Sequence, residues 1–108
     1  MLRKGDNMAG IEIITPEELK EKLGKGDKLE IVDVREDEEV AEGMIPGAKH
    51  IRMGEIPENL AYFDKDKEYI FICRSGRRSE SVCLYLQDQG YKVRNMIGGM
   101  LEWTGERE

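Results

Sequence analysis

The sequence predicts an α/β fold, a three-layer sandwich in which a central, mostly parallel sheet of about five strands carries helices on both faces. Three observations predict it. Short apolar, β-branched runs alternate with helix-like segments along the whole chain. Glycine- and proline-containing turns stand between many of them. The 108 residues, 39% of them hydrophobic, supply one modest core and leave little room for a second. No repeat, low-complexity tract or Pro/Gly/Ser-rich linker divides the chain. Residues 10–108 therefore read as a single domain, and residues 1–9 as a flexible lead-in.

Ile11-Glu12-Ile13-Ile14 reads as a short strand. Thr15 then caps a helix, Pro16 suits its first position, and Glu18 stands where a capping box needs its acid. Leu19 and Leu23, four apart, share the buried face, and Gly24 is the expected stop. Residues 29–34 form a mostly apolar, β-branched run, as expected near the middle of a parallel sheet. Residues 35–42 suit a short acidic helix closed by Gly43. Ile45-Pro46-Gly47-Ala48 is turn chemistry, followed by an extended piece around His50 and Ile51. Residues 54–62 hold one helical turn or two. The strongest strand is 68–72. A helix follows over 77–89, with Val82, Cys83 and Leu86 facing inward, Tyr85 as a further candidate, and Gly90 as a left-handed cap. Residues 91–97 give another strand, and Gly98-Gly99 opens a last short helix through Trp103.

Composition excludes several function classes. With 23 acidic against 17 basic residues the formal net charge is −6, and no basic face is offered to nucleic acid. The apolar runs are far shorter than the ~20 residues that cross a bilayer. The first ten residues lack an apolar signal segment, so a cytoplasmic protein with two free thiols is expected. Two cysteines and one histidine are a poor inventory for a metal site.

The chemistry concentrates in Cys73-Arg74-Ser75-Gly76-Arg77-Arg78-Ser79, between the strongest strand and the next helix. Ligands of open α/β sheets gather at the carboxyl ends of strands, where Cys73 lies. A loop there can aim several backbone N–H groups at one spot, beside the positive end of the helix dipole. Gly76 allows the tight conformation such a cradle needs. Three arginines within five positions, in an otherwise acidic protein, add positive charge, so Cys73 is expected to react as a thiolate. The only histidine, His50, is distant in sequence, and it reads as structural. No local base supports hydrolysis by a Cys-His pair. Cys83, Met96, Met100 and Trp103 read as core. Asp33 and Arg35 read as structural support, with an Arg35–Glu39 ion pair tying strand to helix.

These residues resemble the rhodanese family. Cys73 to Ser79 is similar to its active-site pattern of Cys, variable, Ser/Thr, Gly, variable, Arg, Ser. Asp33-Val34-Arg35-Glu36, the segment from Glu39 through Ile51, and Gly98-Gly99 with Trp103 resemble its other signatures in the right order. Met44 departs from the pattern, standing where the family often has histidine. The resemblance implies a thiosulfate sulfurtransferase without a cofactor. Cys73 would take the outer sulfur of a small anionic donor such as thiosulfate as a persulfide. It would pass that sulfur to cyanide or to a thiol, protein thiols included. Arg74, Ser75, Gly76, Arg77, Arg78 and Ser79 would hold the anion, Arg78 matching the family's fixed arginine. A monomer without nucleic-acid or membrane partners is expected. Two rivals use the same loop. One is a cysteine phosphatase or arsenate reductase; protein tyrosine phosphatases need five residues between cysteine and arginine, and Arg78 falls one position early, a loop-size rule that the resemblance implies. A persulfide carrier docked to a partner uses Cys73 identically.

Overall fold

The structure, a computed structural model, describes residues 10–108. The lead-in expected for residues 1–9 lies outside them. Five strands, β1 (Glu12–Ile14), β2 (Glu30–Asp33), β3 (Lys49–His50), β4 (Glu68–Ile72) and β5 (Lys92–Met96), form one sheet in the order β1-β5-β4-β2-β3. Every pairing in it is parallel. Three α-helices, α1 (Pro16–Gly24), α2 (Asp37–Val40) and α3 (Arg77–Asp88), are joined by 3₁₀ segments at Met53–Glu55, Pro57–Tyr62 and Gly99–Glu102.

The period-two alternation of the strands divides the core. On β4, Tyr69 and Phe71 face the cluster that holds Val82, Cys83 and Leu86 of α3, and Cys73 continues that row. Ile70 and Ile72 face the other cluster, with Leu19 of α1, Met96, Met100 and Trp103. Helices thus cover both faces, as the nearly continuous apolar runs of β2 and β4 require.

Local signals set the element ends. Thr15 and Glu18 form the expected capping box, with Glu18 N donating to Thr15 Oγ1 at 3.0 Å and Thr15 N to Glu18 Oε1 at 2.9 Å. Gly24, expected as the stop of α1, is instead its last helical residue. Gly26 takes the left-handed position at φ +82°, and Asp27 N reaches Lys22 O, completing a Schellman motif. Gly90 does cap α3 as expected, at φ +94°. Tyr85 does not face inward; it is 39% exposed. The acidic helix expected over 35–42 shrinks to Asp37–Val40, because Glu36 is extended at ψ 164° and caps it, its N–H donating to Glu39 Oε1 at 2.9 Å. The 45–48 turn closes through Ala48 N to Ile45 O, with Pro46 and a positive-φ Gly47 at its centre, the residues of a type II turn.

This topology sets the site. The chain leaves β2 toward β3 and leaves β4 toward β5, in opposite directions from adjacent strands. The crevice beyond their carboxyl ends is the switch point of the sheet. Residues 33–35 and the loop from Cys73 both open there.

Candidate active site

Cys73 follows the last residue of β4 and is wholly buried. The backbone then curls so that Gly76, at φ +96°, caps α3 and donates its N–H to Cys73 Sγ at 3.0 Å. A side chain at Gly76 would crowd the Met96 carbonyl and the Gly98 amide, so both φ and space demand glycine. Ser79, in the first turn of α3, lies with Oγ 3.3 Å from the same sulfur. Loop and helix therefore bring a backbone N–H, a hydroxyl and the positive end of α3 to one sulfur atom.

The last 3₁₀ segment clamps the loop from outside. Met100 N donates to Cys73 O at 2.9 Å and Leu101 N to Arg74 O at 3.0 Å. A Cβ on Gly99, whose φ is +59°, would stand 2.3 Å from Arg74 O. Gly99 is thus the condition for close approach.

The expected site residues divide by accessibility. Arg74, Ser75 and Arg77 are exposed, whereas Gly76 and Ser79 are buried beside Cys73. Arg78 is turned away from the role of free anion ligand. Its Nη1 and Nη2 donate to Glu39 Oε1 and Oε2 at 2.8 and 2.7 Å, a bidentate pair. The Arg78 guanidinium holds the Glu39 carboxyl well below its usual range, at about 2. The expected Arg35–Glu39 ion pair does not form. Arg35 gives Nε and Nη2 to Asp33, and only Nη1 reaches Glu39, at its backbone carbonyl. Arg78 wins the carboxylate because Arg35 is already saturated by Asp33 and by Gly43 O.

His50 Nε2 donates to Arg35 O at 2.7 Å, a structural tie as expected. The backbone of Met44 exchanges two hydrogen bonds with Glu108, at 2.9 and 2.8 Å. Both cysteines are free, and burial pushes the Cys83 thiol far up. Among the described residues, no group of three or more His, Cys, Asp or Glu side chains is placed to hold a metal ion, and no helix is long and apolar enough to cross a membrane.

Sequence reasoning missed Asn95. It sits on β5, 3% exposed, with Nδ2 donating to Gly76 O at 3.0 Å and Oδ1 lying 2.5 Å from Ser79 Oγ. A signal was present: Asn95 shares the parity of Val93, so a polar amide occupies an inward strand position facing α3.

Comparison with known proteins agrees with this geometry. The family model described as Rhodanese-like domain matches residues 15–106. YtwF of Bacillus subtilis (strain 168), whose sulfurtransferase name is provisional, is 60% identical over 96 residues, covering 89% of this chain and 93% of that protein. YrkF of the same organism, provisionally named a sulfur carrier protein, is 40% identical over 113 residues; the match takes in 99% of this chain and 61% of YrkF. Among solved structures, a rhodanese-like domain protein from Staphylococcus aureus superposes with a TM-score of 0.86 at 45% identity, covering 91% of this chain and 97% of that one. A parallel five-stranded sheet, a cysteine at its switch point and a matching family model over most of the chain have one reading: this chain belongs to the rhodanese-like domain family.

Proposed function

We propose that the chain is a sulfurtransferase that carries sulfur as a persulfide on Cys73, with thiosulfate as a competent donor and a thiol or cyanide as acceptor. The observation that carries this reading is the sulfur itself, which receives the Gly76 N–H at 3.0 Å at the start of α3. Such a donor favours negative charge on sulfur, the form that attacks a sulfur donor.

In the loading step the Cys73 thiolate attacks the outer sulfur of thiosulfate. The bond between that sulfur and the sulfonate sulfur breaks, and sulfite leaves with the electron pair. In the second step an acceptor thiolate attacks the outer sulfur of the persulfide, and Cys73 returns to thiolate. Neither step needs a general base once the thiolate is present, and the single histidine, His50, is tied to Arg35 O. The exposed guanidinium groups of Arg74 and Arg77 flank the loop and draw in the dianion. The amides of residues 74–79 hold it. Since Cys73 is wholly covered, loading requires a local opening of the groups around it.

Intact-protein mass spectrometry after incubation with thiosulfate tests the reading. The expected result is a gain of one sulfur that a reductant reverses and that Cys73→Ser abolishes. A gain that survives Cys73→Ser, or no gain at all, rules it out. Hydrolysis of an aryl phosphate dependent on Cys73 would instead support the oxyanion-handling rival. The relation to YrkF favours a second reading, a relay carrier that loads once and discharges onto a partner. Turnover of excess thiosulfate with a small thiol as sole acceptor separates enzyme from carrier.

A further inference from the structure

The buried polar groups behind Cys73 form a chain whose hydrogen atoms can be counted. The Gly76 carbonyl only accepts, so the Asn95 amide must present Nδ2 to it, at 3.0 Å. That orientation points Asn95 Oδ1, a pure acceptor, at Ser79 Oγ, 2.5 Å away. Ser79 Oγ also lies 3.3 Å from Cys73 Sγ. The hydroxyl has one hydrogen and two claimants, and all three residues are almost completely buried.

The state of the sulfur decides which claimant receives it. While Cys73 is a thiol, its S–H points at Ser79 Oγ and the Ser79 hydrogen goes to Asn95, so every group is satisfied. In the thiolate the sulfur has only lone pairs. The Ser79 hydrogen turns to the sulfur, and Asn95 Oδ1 is left without its donor, a buried acceptor unsatisfied. In the persulfide the charge has moved one atom outward and Sγ is neutral. The hydrogen returns to Asn95.

From this we infer that Asn95 is a positioning residue that competes with the Cys73 thiolate for the Ser79 hydroxyl. It thereby biases the resting site against a bare thiolate and toward the sulfur-loaded state. The bias toward loading rests on the sulfurtransferase reading; the competition for the hydrogen does not. No oxidant or co-reactant enters, because only one hydroxyl rotates. The loading step itself remains attack on the outer sulfur with departure of sulfite.

The test is a titration of ultraviolet thiolate absorbance, in which Cys83 stays silent because burial pushes its thiol far up. In Asn95→Ala the thiolate-to-thiol ratio at a fixed pH is expected to rise about fivefold, the worth of one net hydrogen bond. The loaded fraction at a fixed thiosulfate-to-sulfite ratio, read by intact mass, should fall by a similar factor. In a Ser79→Ala background both effects of Asn95→Ala must vanish, which a merely structural asparagine would not produce. Asn95→Leu should raise the ratio by a similar factor, and it serves if Asn95→Ala does not fold. An unchanged titration in either single variant overturns the inference, as does an effect of Asn95→Ala that persists without the hydroxyl. If thiosulfate fails to load the unmodified protein, the sulfur reading falls while the titration still decides the competition.

Discussion

Two carboxylate–arginine pairs stand on either side of the switch point, and they differ in almost everything but chemistry. Asp33 and Arg35 are two residues apart, bonded at 2.8 Å, with side chains 1% and 4% exposed. Glu39 and Arg78 are 39 residues apart, bonded at 2.7 Å, with side chains 25% and 33% exposed. The first pair closes the exit of β2 and spends its remaining N–H groups on backbone carbonyls. The second ties α2 to the first turn of α3, beside the cysteine loop. Burial makes the first pair a fixed part of the scaffold. The second keeps contact with solvent and with salt, so it can be remade.

Breaking the buried pair should have the largest effect. Arg35→Met leaves Asp33 buried and unpaired, an expected loss of about 3–5 kcal/mol in urea unfolding. A midpoint unchanged from the parent would show that the pair contributes little to the scaffold. A smaller loss is expected behind the cysteine: Asn95→Leu strips Gly76 O and Ser79 of a partner, which should cost about 1–3 kcal/mol by the same measurement. Glu39→Gln comes next, at about 1 kcal/mol or less, because the pair is partly exposed and screened. Its loss should shrink in high salt while that of Arg35→Met does not, and a similar salt response in both would erase the distinction.

Acid sharpens the comparison further. The Glu39 carboxyl is held at about 2, below its ordinary 4.5, first of all by the Arg78 hydrogen bonds. A depressed carboxyl contributes stability that is present above its unfolded value and lost as pH falls toward its folded one. The parent should therefore lose stability relative to Glu39→Gln between about pH 4.5 and 2. Parallel pH–stability curves for the two proteins across that window would contradict the pairing.

How much could be read beforehand follows the range of each interaction. The capping box of α1, the strand at 68–72 and the cysteine loop are written within a few residues, and each stands where expected. The stop of α1 was misplaced by two residues, because Gly24 and Gly26 are both glycine and only the hydrogen-bond count to Lys22 O separates them. The partner of Glu39 was misassigned for a physical reason. A spacing of four favours Arg35, but Asp33 is nearer to that arginine, and α3 delivers Arg78 from across the switch point. Asn95 was overlooked because its purpose lies wholly in tertiary contacts with Gly76 and Ser79. Local chemistry singled out Cys73; only the fold could say what stands behind it.

The close approach of Gly99 to the loop carries a consequence for anyone who would re-engineer this protein. With Arg74 O 2.3 Å from where a Cβ would stand, position 99 admits no side chain unless the Cys73 loop shifts with it. Lengthening the segment by one residue, to fit a bulkier tetrahedral ester, would drive its peptide planes into a neighbour with nowhere to retreat. Two backbone hydrogen bonds already tie the stretches together. A library that frees Gly99 should be poor in folded members, and one that diversifies only the exposed positions 74, 75 and 77 should keep them.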